Sequence, residues 1–167
     1  MNAIIIRTAT PDDSSAVEMV SKASYDHHFP AAYEAEVLSA VLPVITKASA
    51  MLLESGHFFV AEMAEGEVVG CGGWSEEKPG TRERDGETAH LRHFAVAPNA
   101  GGAGIGRQIF TACHAQAATT GLTRLEVLSS LNATAFYARM GFAETGPRTA
   151  MIAGTLPFPA IDMHRHI

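Results

Sequence analysis

Runs of apolar and β-branched residues, separated by Gly, Pro and polar residues, recur along the chain in the manner typical of strands. Seven such runs are predicted as strands, at residues 3–8, 57–63, 68–74, 88–96, 123–128, 142–152 and 158–166. A short polar turn at 64–67 joins the second and third runs and predicts a hairpin. The last two runs are expected to form another antiparallel pair.

Apolar residues at helical spacing fill most of the intervals between these strands. The first predicted helix starts at Pro11, after a Thr cap and before two acidic residues, and continues to about Tyr25. Residues 26–30 are expected to break it, with His27 and His28 in a solvated loop. Further helices are predicted at 33–54, interrupted at Pro43, from 105 to about 120, and at 132–140, while the polar segment 75–86 is predicted as a mobile loop.

Four glycines stand within six positions between the strand at 88–96 and the helix that follows it. Pro98 ends the strand because it has no N–H group to donate to a neighbouring strand. The start of a helix directs several backbone N–H groups and a partial positive charge at one point. Glycines let a bulky anion approach that backbone closely. The segment therefore predicts a phosphate or pyrophosphate site.

Two common phosphate-binding loops do not fit this segment. Residues 102–106 do not match the dinucleotide fingerprint G-x-G-x-x-G, and the Gly-Lys-Ser/Thr of a P-loop is absent. The segment resembles motif A of the GNAT superfamily of N-acetyltransferases, V-x-P-x-x-[RQ]-x-x-G-x-[GA], at Val96, Pro98, Gly104 and Gly106. Gly101 replaces the Arg or Gln of that motif, so the loop lacks a side-chain donor. An ordinary glycine-rich turn is the alternative for this segment alone.

A second stretch resembles motif B of the same superfamily, N-x-x-A-x-x-F-Y-x-x-x-G-F. The matching residues are Asn132, Phe136, Tyr137, Gly141 and Phe142. The two motifs stand in the family's order and at its usual separation, and the resemblance covers most of the chain. It implies one α/β (α+β) GNAT-like domain over residues 1–167, with a mixed, mainly antiparallel sheet flanked by helices. A length of 167 residues with 47% hydrophobic residues suits one such domain.

The resemblance also implies acetyl-CoA as co-substrate, bound in a central cleft. The residues expected to bind the pyrophosphate are Gly101, Gly102, Ala103, Gly104, Ile105, Gly106 and Arg107. The backbone of Phe94, Ala95 and Val96 is expected to hold the thioester carbonyl and the pantetheine arm. Asn132, Phe136 and Tyr137 complete the expected cofactor site, and the alternative for Asn132 is a helix cap.

Tyr137 matches the motif-B tyrosine whose hydroxyl lies near the cofactor sulfur in this family. It is therefore predicted to be the general acid that protonates the leaving thiolate. A thiol has a pKa of about 8.5, so a weak acid is sufficient. The alternative is a core aromatic residue, because the spacing of Tyr137 with Ala133 and Met140 also suits packing.

An amine acceptor with a pKa of about 10.4 must lose a proton before it can attack. Several relatives carry Glu or His six positions before the motif-A valine, and that position is His90. A histidine titrates near neutral pH and could accept the proton, directly or through water. A structural histidine is the alternative for His90, and Glu126, Glu76 or water are the alternatives for the base.

Strand alternation makes a further prediction about this strand. With a period of two, His90, Arg92, Phe94 and Val96 would share one face, and His93 and Ala95 the other. A bulge, which is common near active sites, would change that assignment.

Composition excludes several other functions. The net charge of −6, without a block of basic residues, argues against nucleic acid as a partner and weakly favours a cationic substrate. No apolar run is long enough for a membrane span, and residues 1–6 do not resemble a signal peptide. Cys71 and Cys113 lie in apolar patterns typical of buried free thiols, which favours the cytoplasm. The histidine pairs at 27–28 and 164–166 lack further ligands, so no metal is expected.

The expected function is acetyl transfer from acetyl-CoA to an amine of a small molecule or peptide, by direct attack in a ternary complex. No cysteine is placed to act as a nucleophile. Two alternatives remain, a non-catalytic acyl-CoA sensor and an acetyltransferase-like interaction or toxin subunit. A monomer or homodimer is expected. The resemblance implies that the helices predicted at 11–25 and 33–54 cover the acceptor side, and they carry no motif that identifies the acceptor.

Overall fold

One seven-stranded sheet forms the centre of the protein. The computed structural model describes residues 3–167, so Met1 and Asn2, which belong to the segment considered for a signal peptide, lie outside the described residues. The strands are β1 (Ile4–Thr8), β2 (Phe58–Met63), β3 (Val68–Ser75), β4 (Thr88–Val96), β5 (Arg124–Ser130), β6 (Ala143–Ile152) and β7 (Leu156–His166). Their order is β1-β2-β3-β4-β5-β7-β6, and only β4 and β5 are parallel. The predicted mixed, mainly antiparallel sheet is confirmed.

Helices cover both faces of this sheet. The helices α1 (Ser14–His28), α2 (Ala35–Ile45) and α3 (Ala50–Glu54) pack on one face, and α4 (Ile105–Ala118) and α5 (Thr134–Arg139) on the other. Two hydrophobic cores result because each helix buries an apolar side against the sheet. Trp74, Ile109 and Phe110 lie in the α4 core, and Val17, Val20 and Phe29 lie in the α1 core.

The helix boundaries differ from the sequence prediction at two places. α1 continues through His27 and His28 and ends where a 3-10 turn that contains Pro30 starts at Phe29, so these histidines occupy a helix terminus and not a loop. Pro43 lies inside the last turn of α2 and does not interrupt it. Pro43 lies on the exposed side of α2, so water can hydrogen-bond to the Ser39 carbonyl group that proline leaves without an N–H partner. The interruption falls instead before α3, which Ser49 caps by accepting a hydrogen bond from Leu52 N.

The parallel pair of strands separates along its length. β4 and β5 pair only over Thr88–His90 and Arg124–Glu126. Beyond that point β5 continues to pair with β7 as far as Ser130, while β4 continues to pair with β3. The edge of β4 that faces β5 therefore has no strand partner after His90. A wedge opens between the two strands.

A β-bulge at His93 changes the alternation of β4. Cys71 pairs with Ala95 whereas Gly73 pairs with Arg92, so β4 has one more residue than β3 in this interval. His93 has a positive φ of 56°. As a result Phe94 and Val96 pack with the α4 core, while Arg92, His93 and Ala95 lie on the α1 side. The predicted shared face of His90, Arg92, Phe94 and Val96 is therefore wrong.

Cys71 and Cys113 are both buried free thiols, as predicted. Among the described helices, none combines the length and the apolar composition needed to cross a membrane.

Candidate active site

A cavity of about 820 Å³ occupies the wedge between β4 and β5. Its walls contain most of the residues predicted to bind the cofactor: Phe94, Ala95, Val96, Gly101, Gly102, Gly104, Ile105, Gly106, Arg107, Asn132, Phe136 and Tyr137. Ala103 and His90 are not in its walls. The two sequence motifs, which lie about thirty residues apart in the chain, thus meet at one cavity because the strands that precede them are neighbours.

The glycine-rich loop leads into the N-terminus of α4. Gly104 is the N-cap residue, with φ of 72°, and Gly102 has φ of 83°. Both angles lie in the left-handed region, which side chains disfavour. A Cβ at either position would meet no atom within 4 Å, so the space beside the loop is open. This geometry suits a large anion at the helix N-terminus.

Position 106 requires glycine for a different reason, which is close packing. A Cβ at this position would lie 2.6 Å from Cε1 of Phe136, on α5. Gly106 therefore lets α4 approach the motif-B helix closely. Within the loop at 101–106, only Gly102 and Gly104 have a positive φ that requires glycine.

Asn132 does not cap the motif-B helix. The N-cap residue of α5 is Ala133, and it makes no side-chain capping bond. Asn132 lines the cavity instead, as do the cations Arg107 and Arg139. Its amide is placed where it can reach a ligand.

Tyr137 is buried in the wall of the cavity, with 7% of its surface exposed. Its ring contacts Phe136 and Phe142, at centroid distances of 5.0 and 5.7 Å. Among residues 3–167, no side chain or backbone group forms a hydrogen bond with its hydroxyl. Burial raises the pKa of Tyr137 well above its ordinary value, so the hydroxyl is protonated at neutral pH and able to donate.

The other two tyrosines differ in this respect. The hydroxyl of Tyr25 donates to Phe94 O at 3.3 Å. The hydroxyl of Tyr33 donates to Pro159 O at 2.7 Å and accepts from Leu131 N at 2.8 Å. A buried hydroxyl normally has such a partner. Tyr137 is therefore the tyrosine whose donor is available to a bound molecule.

His90 lies at the closed end of the wedge, where β4 still pairs with β5. Its Nδ1 is 3.9 Å from Oε2 of Glu126, and 12% of its side chain is exposed. Burial lowers the pKa of His90, and the Glu126 carboxylate acts in the opposite direction. Its position gives His90 no direct contact with the cavity, so a water molecule would have to connect the two.

His93, which the bulge turns toward α1, does line the cavity. Its Nε2 is 2.6 Å from the Ser21 hydroxyl, which in turn donates to Val17 O at 2.7 Å. Since the hydroxyl already donates to Val17, it accepts from Nε2–H, and the Nδ1 lone pair is left for another partner. Burial, with a smaller contribution from Arg92, lowers the pKa of His93 to about 4.

Sequence reasoning did not select several basic or titratable residues of the cavity wall, among them His93, Arg92 and Lys47. One signal for the bulge exists in the sequence, because Gly70, Gly72 and Gly73 interrupt β3, and glycine inside a strand often accompanies a bulge. A Cβ at Gly72 would lie 2.7 Å from the Phe94 ring. Nothing in the local sequence indicates that Lys47 reaches the same cavity.

The described residues contain no group of three or more His, Cys, Asp or Glu side chains that could hold a metal ion. The cavity wall contains polar amide, hydroxyl and imidazole groups together with cations. It fits an organic anion with an extended apolar arm.

Comparison with known families decides the assignment. A family model described as "Acetyltransferase (GNAT) domain" matches residues 19–153. The chain belongs to the GNAT acetyltransferase family. The match includes both motifs and the whole of the wedge, so the resemblance seen in the sequence is confirmed.

Solved GNAT structures share this fold. A GCN5-related N-acetyltransferase from Rhodopseudomonas palustris has a TM-score of 0.77 and 21% identity, covering 100% of this chain and 98% of that one. The PaiA N-acetyltransferase from Thermoplasma acidophilum, in complex with coenzyme A, has a TM-score of 0.70 and 15% identity, with 99% of each chain covered. A GNAT acetyltransferase from Brucella melitensis, in complex with acetyl-CoA, has a TM-score of 0.56 and 24% identity, covering 86% and 84%. No curated protein matches the chain.

Proposed function

We propose that this GNAT protein transfers an acetyl group from acetyl-CoA to an amine of a small molecule or peptide, by direct attack in a ternary complex. The available hydroxyl of Tyr137 in the cavity wall is the observation that carries this proposal. Acetyl-CoA would supply an activated acyl group and a thiolate leaving group. The coenzyme A and acetyl-CoA complexes of two similar structures support its choice.

Different residues of the wedge would bind different parts of acetyl-CoA. The loop at 101–106 and the N-terminus of α4 would hold the pyrophosphate through backbone N–H groups. Arg107 would add a positive charge. The unpartnered edge of β4 at Phe94–Val96 would hydrogen-bond to the pantetheine arm, and the Asn132 amide would bind it from the opposite side.

In the proposed reaction the amine nitrogen forms a bond to the thioester carbonyl carbon, and the C–S bond breaks. Tyr137 Oη, which stays protonated at neutral pH, donates its proton to the departing sulfur, and the tyrosinate then regains a proton from water. The proton released by the amine has to leave by another route.

We propose that His93 accepts the proton of the amine through Nδ1. His93 lines the cavity, and its hydrogen bond to Ser21 orients the ring. The role of His90 stays a prediction, and it would need an intervening water molecule. A pKa of about 4 makes His93 neutral at physiological pH but a weak base. Its contribution is therefore expected at the low end of the usual range for general bases.

Replacing His93 with asparagine is expected to lower kcat/KM for the acceptor by about 100-fold, because the proton acceptor is lost. Asparagine tolerates the positive φ and does not titrate, so the bulge is retained. Steady-state kinetics across pH 5–9 provides the measurement. Since the pKa of His93 is about 4, the imidazole is already neutral throughout, and the parent profile should show no step from His93 near pH 6.5.

His90→Asn is the matched control on the same strand. It should change kcat/KM less than His93→Asn does, and neither variant should change the affinity for acetyl-CoA. A larger loss in His90→Asn, or a step in the parent profile that disappears in that variant, would assign the proton acceptor to His90 and contradict the role given to His93.

A screen of amines, amino acids and peptides with acetyl-CoA tests the function as a whole. Release of free thiol that depends on the amine, together with an N-acetylated product in mass spectrometry, is the expected result. Binding of acetyl-CoA without turnover of any amine would favour a non-catalytic sensor. Tight association with another protein and no turnover would favour an interaction subunit.

A further inference from the structure

The charge of the cavity wall is opposite to that of the whole protein. The chain has a net charge of −6, yet the cavity is lined by Lys47, Arg92, Arg107 and Arg139. No Asp or Glu belongs to its wall among the described residues. The acidic surface lies elsewhere, so the weak sequence argument for a cationic substrate does not apply to the cavity.

Two of these cations lie on the helices that carry the two motifs. Arg107 lies in the first turn of α4, after the glycine-rich loop, and Arg139 lies at the end of the motif-B helix. Arg92 and Lys47 stand elsewhere, on β4 and on the segment between α2 and α3. The same cavity wall also includes residues of α1, α2 and the β6–β7 hairpin, such as Ser24, Val44 and Ile152.

Arg92 lies on the α1 side of the sheet, next to the point where the wedge begins. Trp74 and Leu91 are a facing pair, and both pack in the α4 core. Their neighbours Ser75 and Arg92 therefore point to the other face, and Arg92 Nη1 donates to the Ser75 hydroxyl at 2.9 Å. The charge is thus held in place beside the cavity by a neutral partner.

No carboxylate is paired with Arg92 within residues 3–167. Glu77 is the carboxylate that acts on the charge of Arg92, but it accepts hydrogen bonds from Arg84. Glu76 also lies 3.7 Å from the guanidinium group of Arg84. Burial lowers the pKa of Arg92, and Glu77 opposes this only in part. Arginine stays charged nonetheless, so a partly buried positive charge remains without an anion.

We propose that Arg92 binds a carboxylate of the acceptor, so that the acceptor is an amine that also carries a carboxylate, such as a free α-amino acid. This inference rests on the proposed acetyl transfer. The guanidinium fork suits the two oxygens of a carboxylate, and Lys47 adds a second positive charge to the same cavity wall. Anchoring by the carboxylate also leaves the amine directed toward the wedge.

The same charges act on the reacting amine. A cavity wall that contains cations and no carboxylates disfavours an ammonium ion, and it lowers the pKa of a bound amine. The carboxylate offsets the repulsion that the amine would otherwise meet on entry. A polyamine has no such group and should be a poor acceptor.

The experiment compares matched acceptors in the parent and in Arg92→Met. Each of the common amino acids is paired with its α-amide, each dipeptide with its C-terminal amide, and spermidine serves as the polycation. The parent is expected to prefer the carboxylate form by about 10- to 100-fold in kcat/KM, the range for a hydrogen bond to a charged group. A preference confined to amino acids or to dipeptides identifies the size of the acceptor.

Arg92→Met should remove that preference and leave KM for acetyl-CoA unchanged. Arg82→Met, at an exposed position of the loop before β4, is the matched control and should keep the preference. Arg92→Lys serves as a second variant should methionine impair folding, and it should keep part of the preference because the charge remains. Equal rates for acids and amides, a preference for spermidine, or a preference that survives Arg92→Met would each overturn the inference.

A binding measurement separates this inference from the proposed function. Calorimetry with coenzyme A present compares N-acetyl-amino acids with their amides, and it needs no turnover. If no amine is acetylated, the proposed function fails. Tighter binding of the acids that depends on Arg92 would still support the carboxylate site, and equal binding of acids and amides would overturn it.

Discussion

Replacing Tyr137 with phenylalanine is expected to lower kcat with acetyl-CoA by about 10²–10⁴-fold, the usual contribution of a general acid. The thiolate would have to leave unprotonated or take a proton from water. The free energy of unfolding should change by less than about 1 kcal/mol, because the hydroxyl forms no hydrogen bond within the described chain and the ring keeps its contacts. The affinity for acetyl-CoA should change little. Stopped-flow kinetics, calorimetry and denaturant unfolding provide the three measurements.

Tyr33→Phe is the matched control for this prediction. Tyr33 is equally buried but lies outside the cavity wall, and its hydroxyl makes two hydrogen bonds to backbone groups. It should lose about 1–3 kcal/mol of stability with little change in kcat. The two variants thus separate a chemical role from a structural one.

An activated acyl donor gives a further check on Tyr137. Its leaving group has a low pKa and needs no acid, so the loss in Tyr137→Phe should shrink with this donor. Full kcat on acetyl-CoA, or an equal loss with both donors, would show that Tyr137 is only a core aromatic residue.

Replacing Gly104 with valine is expected to raise the Kd for acetyl-CoA by about 100-fold or more, as if one or two hydrogen bonds to a charged group were lost. A β-branched residue disfavours the left-handed conformation of Gly104, so the N–H groups at the start of α4 would turn away from the phosphates. The new side chain would also occupy the open space beside the loop. Titration calorimetry with acetyl-CoA measures the effect.

Gly121→Val is the matched control for this second prediction. Gly121 follows the other end of α4, with φ of 83° and no atom within 4 Å of a Cβ. Both substitutions should cost similar stability, about 1–2 kcal/mol from the left-handed backbone. Only Gly104→Val should weaken binding. Unchanged affinity in Gly104→Val would remove the phosphate site from this loop.

The helix boundaries show where local patterns were insufficient. The sequence predicts an interruption at both Pro30 and Pro43, but Pro30 is the second residue of a 3-10 turn and Pro43 lies exposed in the last turn of α2. Proline forbids only the backbone bond of its own nitrogen, so the surroundings decide whether a helix tolerates it. The helix is in fact interrupted before Ser49, which caps α3 by accepting a hydrogen bond from Leu52 N. The pattern of apolar residues does not indicate such a bond.

The choice of the general base was also beyond the reach of local sequence patterns. Counting positions from the motif-A valine selected His90, and alternation placed it beside Phe94. The bulge inserts one residue between them and brings His93, rather than His90, to the cavity. A single inserted residue moves every later side chain of a strand to the opposite face of the sheet. The bulge is partly due to the glycines of β3 that face it.

The family, the strands and the two motifs could be predicted from the sequence, because glycine spacing, proline positions and hydrophobic period act over a few neighbouring residues. Which side chains meet depends on the packing of distant segments. The separation of β4 from β5, the availability of the Tyr137 hydroxyl and the unpaired charge of Arg92 each depend on residues far apart in the chain. Pairing and burial are properties of the folded neighbourhood, and no local pattern contains them.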